Sequence, residues 1–156
     1  MATTVPNSIT GLQHRVLFLS LVDQRFAAAS IWKTFFCSLP WLDLLPDQDH
    51  TVVTSGLGTY ATLEARVSQS DYCTAVKTPD GVCVIAYLPT ARTITVTMAS
   101  MRAPAHAAWF DPTNGAYTTI PGRPVAITGT RLFTPPGKNH EAADDWVLVL
   151  DGSGSI

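Results

Sequence analysis

After residue 50 the sequence alternates between short runs rich in β-branched and aromatic residues and clusters of turn-forming residues. Regular alternation of this kind is typical of an antiparallel sandwich or barrel. We therefore predict a mainly β fold, an antiparallel β-sandwich of about eight strands with an N-terminal helix packed against it. The predicted strands are TVVTS, DYCTAVK, VCVIAYL, TITVTM, AHAAWFD, AYTTI, a short piece at residues 131–133, and DWVLVLD.

Two tetrapeptides, TPDG and PTNG, have the composition of tight turns. Proline presets one backbone dihedral of such a turn and glycine accepts a positive φ, so the strands on either side of each should form a hairpin. If the second loop holds Pro112 to Gly115, antiparallel pairing places Phe110 opposite Tyr117 and Trp109 opposite Thr118. An aromatic pair would then share one face of the sheet.

The last predicted strand is apolar on both of its faces. Trp146, Leu148 and Leu150 point one way in an extended chain, while Val147 and Val149 point the other way. A strand with two apolar faces needs a covering layer on each side, so this segment is predicted to be central in its sheet. The second sheet and the N-terminal helix are the layers available to cover it.

The chain divides into four predicted segments. Residues 1–39 are predicted to be helical, because apolar residues recur at helical spacing between positions 12 and 22. Two prolines and three aspartates make residues 40–50 an ordered connector, and the sandwich follows at 51–151. Residues 152–156 form a low-charge flexible tail.

Composition excludes several classes of function. Hydrophobic residues make up 46% of the chain and charged residues only 14%, which favours a folded core over disorder. Lysine and arginine are scattered and the net charge is -2, so no nucleic-acid partner is predicted. The apolar run at 16–22 is far shorter than the roughly 20 residues that span a bilayer, and its flanks do not favour a secretion signal.

Metal, disulfide and cofactor sites are not predicted either. Cys37, Cys73 and Cys83 are odd in number and lack C-x-x-C spacing, so buried free thiols are expected. The connector acids, Asp43, Asp47 and Asp49, can in principle ligate calcium. Solvated turn acids are the favoured interpretation, because no glycine-punctuated ligand loop is present.

The segment GLGTYA, residues 56–61, matches a dinucleotide-binding fingerprint in its letters. The fingerprint works only in a parallel βαβ unit with an acidic residue about twenty positions later. Asp80 is the nearest match, but it lies within the TPDG turn. A loop that needs glycine for its backbone conformation is the favoured interpretation, and no catalytic residue is assigned.

Aromatic residues around the second hairpin are the candidate ligand-binding residues. Trp109, Phe110 and Tyr117 can stack on a sugar or pack against a partner surface at small entropic cost. Packing is the alternative, because neighbouring strand residues face opposite ways and at least one of Trp109 and Phe110 should be inside.

Four segments together resemble a known family: SLPWLDLLPDQDHTVV, TPDGVCVIAYLPTARTITV, WFDPTNGAYTTI and GTRLFTPPGKNHEAADDWVLVLD. From Ser38 to Asp151 the chain is similar to the "putative collagen-binding domain" that follows the catalytic barrel in apiosidase-like glycoside hydrolases, proteins sometimes labelled collagenase. The resemblance implies a C-terminal β-sandwich that packs on a barrel, in bacterial proteins that are secreted or periplasmic. Residues 28–47 would correspond to the last barrel helix and its exit.

The resemblance carries no catalytic or binding residue to this chain. Only residues 1–27 precede the helix, too few for eight βα units, so the family's catalytic carboxylates have no counterparts here. We therefore expect a non-catalytic accessory domain that binds a polysaccharide or matrix protein and uses no cofactor. The alternatives are a homo-oligomer formed through the exposed barrel-facing surface, and an enzyme with residual glycosidase or nucleotide-dependent activity.

Overall fold

A computed structural model describes residues 28–59, 70–122 and 124–154. Over these residues the chain forms one helix near the N-terminus, α1 at 28–37, followed by nine strands in two antiparallel sheets. Short 3-10 turns lie at Trp41–Asp43 and Met98–Ser100. The strands are β1 (Leu45–Pro46), β2 (Val53–Ser55), β3 (Thr74–Lys77), β4 (Cys83–Leu88), β5 (Ile94–Thr97), β6 (His106–Phe110), β7 (Tyr117–Thr119), β8 (Thr130–Phe133) and β9 (Trp146–Asp151).

The two sheets differ in size. One has six strands in the order β1-β3-β4-β9-β6-β7, and the other has three in the order β2-β5-β8. Each of the eight predicted segments contains an observed strand, so the predicted mainly β fold is confirmed. The missed strand, β1, is only Leu45–Pro46, inside the predicted connector. Pro46 made this segment look unlike a strand, because proline is rare inside sheets. It is tolerated here because β1 lies at a sheet edge.

Both predicted hairpins are present, and the register predicted for the second is confirmed. β3 and β4 pair antiparallel across the TPDG turn, where Gly81 has a φ of 69°. Across the PTNG turn, Phe110 pairs with Tyr117 and Trp109 pairs with Thr118. The turn chemistry alone therefore determined which side chains become neighbours on this edge of the sheet.

Strand β9 is central in the six-stranded sheet, between β4 and β6, and all of its residues are buried. Trp146, Leu148 and Leu150 belong to the core between the two sheets. Val147 and Val149 belong to a second core on the opposite face. The predicted covering of both faces is confirmed. Each fully buried side chain of this size contributes about 1.5–3 kcal/mol relative to exposure.

Helix α1 covers the second face of the large sheet. Phe35 in the helix and Leu39 just after it are one helical turn apart. Both are buried in the same cluster as Val149 and Phe110. The rings of Phe35 and Phe110 are 4.3 Å apart between centroids. The predicted packing of an N-terminal helix on the sandwich is thus confirmed for 28–37, while the helical periodicity between 12 and 22 lies outside the described residues. No helix in the described part of the chain is long and apolar enough to cross a membrane.

The connector is fastened to both sheets through Asp47. Its carboxylate accepts hydrogen bonds from the backbone N–H groups of Thr51 (2.8 Å), Val52 (3.0 Å) and Val53 (3.0 Å). Its own N–H donates to the carbonyl of Ala75 in β3. Burial raises the pKa of Asp47, but these donors outweigh it and leave the pKa below its usual range. Solvated turn acids are therefore the wrong interpretation for Asp47, although the other two connector acids are exposed.

The three cysteines are free thiols. Cys73 and Cys83 are buried as predicted, and burial raises the pKa of Cys73 to about 11 and that of Cys83 to about 12. Both therefore stay protonated and unreactive at neutral pH. The prediction is wrong for Cys37, which is exposed at the end of α1.

Replacement of Leu148 tests the central position of β9. Leu148 is 0% exposed, so Leu148→Ala should leave a cavity between the sheets and lower the free energy of unfolding by about 2–5 kcal/mol. Leu132→Ala is the matched control, because Leu132 is 67% exposed and its loss should change that free energy by no more than about 0.5 kcal/mol. Urea titration followed by tryptophan fluorescence measures both; similar losses in the two variants would contradict the assignment.

Candidate functional site

The three candidate ligand-binding aromatics lie in different environments. Trp109 is 3% exposed and packs in the core between the sheets, while Phe110 is 2% exposed and packs under α1. Tyr117, on edge strand β7, keeps 41% of its surface exposed. The alternation along β6 sends the first two rings to opposite cores, and both are inside. Ligand contact by any of the three stays a prediction, and Tyr117 is the one among them that solvent reaches freely.

A groove of about 340 Å³ opens between α1 and the PTNG hairpin. Phe35 and Phe110 line its apolar part, and Tyr117 forms one wall. The ring of Tyr117 lies 5.0 Å from that of Phe110, between centroids. The groove therefore joins the predicted aromatic pair of the hairpin to an aromatic residue of the helix.

Polar groups surround this aromatic surface. Thr34 and Ser38 from the helix and Asn114 from the hairpin line the groove. Burial raises the pKa of Tyr117, partly offset by a hydrogen bond between its hydroxyl and the side chain of Ser38. None of the described residues that line the groove carries a charge. Hydroxyl and amide groups beside a flat apolar surface suit a ligand with both hydroxyls and an apolar face.

The hairpin that carries Tyr117 is held by a buried acid, Asp111. Its carboxylate accepts hydrogen bonds from the N–H (2.8 Å) and hydroxyl (2.6 Å) of Thr113 within the turn. It also accepts one from the N–H of His140 at 2.8 Å, which ties the hairpin to the loop before β9. At Gly115 the φ of 79° closes the turn, in the left-handed region that glycine adopts without strain. The groove wall is thus preorganised.

Sequence reasoning missed the helical side of this groove. Thr34 and Ser38 follow each other at helical spacing, but nothing in the sequence pairs that face of α1 with a hairpin eighty residues away. The one available signal was the amphipathic pattern of the helix that ends before Pro40. This pattern predicts that one helix face is buried, but it does not identify the element that covers it. The register of the hairpin, by contrast, was local and predictable.

The glycines of GLGTYA have conformational roles in the structure. Gly56 and Gly58 both have a φ of 81°, and a Cβ at Gly56 would overlap the carbonyl oxygen of Thr93. Asp80 lies in the turn between two antiparallel strands. Residues 60 and 61 of the motif lie outside the described residues. Within the described ranges, no group of three or more histidine, cysteine and acidic side chains is placed to hold a metal ion.

The sequence from 61 to 151 matches the model of a family described as "Putative collagen-binding domain of a collagenase". No curated protein matches the sequence of this chain. Among solved structures, one titled "Glycoside hydrolase" shares the fold over 81% of this chain, with a TM-score of 0.59 and 18% identity. A glycoside hydrolase family 5 protein from Bacteroides vulgatus ATCC 8482 shares it over 88%, with a TM-score of 0.65 and 16% identity.

The match covers only part of those two proteins. This chain corresponds to 25% of the first and 27% of the second, so it spans about a quarter of their length. At this level of identity the likeness concerns the fold. It indicates that the sandwich recurs as one part of larger glycoside hydrolases.

Asp111→Asn tests the buried acid that holds the groove wall. Burial raises the pKa of Asp111, but the donors from Thr113 and His140 outweigh it and lower the pKa overall. The stabilisation is therefore fully present above the carboxyl pKa of the unfolded chain and is lost as pH falls through the lower folded pKa. The variant should be less stable by about 1–3 kcal/mol at neutral pH.

Urea titrations of both proteins between neutral and strongly acidic pH measure this effect. The difference in unfolding free energy should shrink on acidification, because the native carboxyl then also becomes neutral. A difference that stays constant across the acidic range would show that the charge of Asp111 contributes nothing to the hairpin.

Proposed function

Since this chain belongs to the family described as "Putative collagen-binding domain of a collagenase", we propose that it is a non-catalytic binding domain that holds a neutral polysaccharide in the Tyr117 groove. The observation that carries the proposal is the exposed Tyr117 ring beside an aromatic groove whose described lining residues are all uncharged. The family's description also makes a matrix protein a candidate ligand. It is the alternative outcome of the test below.

The lining of the groove supports a sugar ligand. A pyranose ring presents C–H groups on its faces and hydroxyls around its edge, and the groove offers aromatic rings next to Ser38 and Asn114. Its volume of about 340 Å³ is at the small end of ligand pockets, which suits one or two sugar units of a chain. The uncharged lining favours a neutral ligand over an anionic one, since none of the described lining residues is a cation that could compensate a bound charge.

A non-catalytic role is supported by the chemistry of the same residues. Glycoside hydrolysis needs two carboxyl groups on either side of the scissile bond, and the groove is lined by hydroxyl, amide and apolar groups. The likeness to about a quarter of two larger hydrolases supports an accessory rather than a catalytic part. The family context supports a secreted or periplasmic location.

A second candidate function, self-association, is favoured by an exposed apolar surface. We name it the exit patch: Phe36, Trp41, Leu42 and Leu45, at the end of α1 and in the segment that follows it. Leu42 is 78% exposed and Trp41 52% exposed. These four exposed side chains lie within ten residues of one another in the sequence; exposed apolar groups favour burial against another surface, and a second copy of the chain offers the same residues.

Tyr117→Ala tests the polysaccharide proposal, with Tyr117→Phe as the matched control. Removal of the ring should weaken binding to a neutral glycan about tenfold, because ring stacking on a sugar is lost. The phenylalanine variant keeps the ring and loses only the hydroxyl, so its affinity should stay within about threefold of the original. A glycan array identifies the ligand, and calorimetry with that glycan compares the three proteins.

Two outcomes would overturn the proposed ligand or role, and a third would overturn the proposed site. One is a glycan array without any neutral ligand while immobilised collagen retains the protein, which would favour the matrix alternative. The other is hydrolysis of aryl glycosides by the purified chain, which would make it an enzyme. Equal glycan affinity of all three proteins would exclude Tyr117 from the site.

Leu42→Glu tests self-association through the exit patch. If two copies bury this surface against each other, a carboxylate at the patch should shift sedimentation equilibrium towards the monomer by at least about tenfold in dissociation constant. Leu132→Glu is the control, since Leu132 is also largely exposed, at 67% against 78% for Leu42, but lies in β8, outside the patch. A chain that stays monomeric at high concentration would refute the idea.

A further inference from the structure

A second groove, of about 370 Å³, lies at the opposite edge of the six-stranded sheet. The Tyr117 groove adjoins β6 and β7, whereas this one adjoins β1 and β3. Four strand spacings separate the two pairs of strands, or roughly 19 Å. We name it the His50 groove, after a residue on its rim.

The backbone at His50 is unusual. Its φ is 52°, in the left-handed region that few residues other than glycine adopt. The imidazole of His50 meets the hydroxyl of Tyr72, which lies 3.0 Å from Nε2. Residues held in such backbone regions cluster at ligand sites, where the surrounding structure fixes them. Here the fixed residue presents a paired imidazole and phenol to the groove.

The frame around this pair is rigid. Asp47 connects the connector to β2 through three backbone N–H groups and to β3 through its own N–H. On the other side, the N–H of Cys73 donates to the carbonyl of Leu57 at 2.7 Å. The groove is therefore shaped before any ligand arrives, and binding would cost little ordering entropy.

The lining combines an apolar floor with a polar rim. Leu57, Ala75 and Val76 contribute apolar surface, while Gln48 and the His50–Tyr72 pair contribute donors and acceptors. This is the arrangement that matches one face and one edge of a sugar ring, because C–H groups contact the floor and hydroxyls reach the rim.

The nearby charges are already compensated within the protein. Both oxygens of the Asp47 carboxylate accept backbone hydrogen bonds, and Asp71 next to Tyr72 forms an ion pair with Arg92. Among the described residues that line the groove there is no lysine or arginine. A bound anion would meet the Asp47 carboxylate with no compensating cation among those described residues, which favours a neutral ligand.

We propose that the His50 groove binds a single neutral sugar residue, with the His50–Tyr72 pair on its hydroxyls. The inference rests on the proposed polysaccharide-binding function for the class of ligand and adds a second contact surface to it. With both grooves occupied, the domain would contact a glycan, or two glycans, on opposite edges of one sheet.

A titration followed by backbone amide NMR separates the two grooves residue by residue. Galactose, arabinose and rhamnose are the neutral probes, and galacturonate is the anionic counterpart of galactose. The neutral sugars should shift the amides of Gln48, His50 and Ala75, whereas galacturonate should bind this groove at least about threefold more weakly than galactose. Shifts at Thr34, Ser38 and Gly115 report independently on the Tyr117 groove.

Two variants test the rim. Tyr72→Phe removes one hydroxyl and should weaken binding at these amides about three- to tenfold. His50→Asn removes the imidazole but places asparagine, which tolerates the left-handed region, at this position. Sugar binding to the His50 groove should therefore weaken, while the chemical shifts of amides outside the groove stay unchanged. Tyr87→Phe is the matched control, since Tyr87 lies on the face covered by α1. This variant should bind the sugar as tightly as the original protein does.

The inference is overturned if no neutral sugar shifts the amides of the His50 groove, if Tyr72→Phe titrates like the original protein, or if galacturonate binds there as tightly as galactose. Failure of the Tyr117 groove gives a different result. In that case the shifts at Thr34, Ser38 and Gly115 are missing, whether or not the His50 groove responds.

Discussion

The burial of β9 on both of its faces is the constraint from which the rest of the architecture follows. A strand whose side chains are all buried cannot lie at an edge or face water, so it requires a paired strand on each side and a covering layer above and below. Strands β4 and β6 provide the pairing. The three-stranded sheet covers Trp146, Leu148 and Leu150, and helix α1 covers Val147 and Val149.

Neither covering layer is as wide as the sheet beneath it, and both grooves lie near where the large sheet reaches its outer strands. On one side, Ser38 just after α1 lies near Tyr117 of β7, whose ring stays partly exposed beside the buried Phe110. On the other, the connector passes β3 with its backbone fixed by Asp47. The candidate sites are thus consequences of unequal layers, and the backbone around them is held by the buried Asp111 on one side and the half-buried Asp47 on the other.

Local chemistry predicted much of this fold. Turn residues predicted the two hairpins and the pairing of Phe110 with Tyr117, and apolar residues on both faces of β9 predicted its central position. Features that depend on distant partners were not predictable in the same way. In the sequence, Asp47 resembles any solvated turn acid, and its hydrogen bonds exist only once the backbone of residues 51–53 has folded around it. The burial of both Trp109 and Phe110 likewise depends on two cores that are built from distant segments.

The large sheet has two edge strands, β1 and β7. Strand β1 ends in Pro46, which has no amide proton. A neighbouring chain that tried to add itself along this border would find a hydrogen bond missing, and the strand is only two residues long. Extension of the sheet into an open-ended fibre is therefore discouraged at this border. A second copy of the domain that met this border would therefore have to bind through side chains rather than through an added strand.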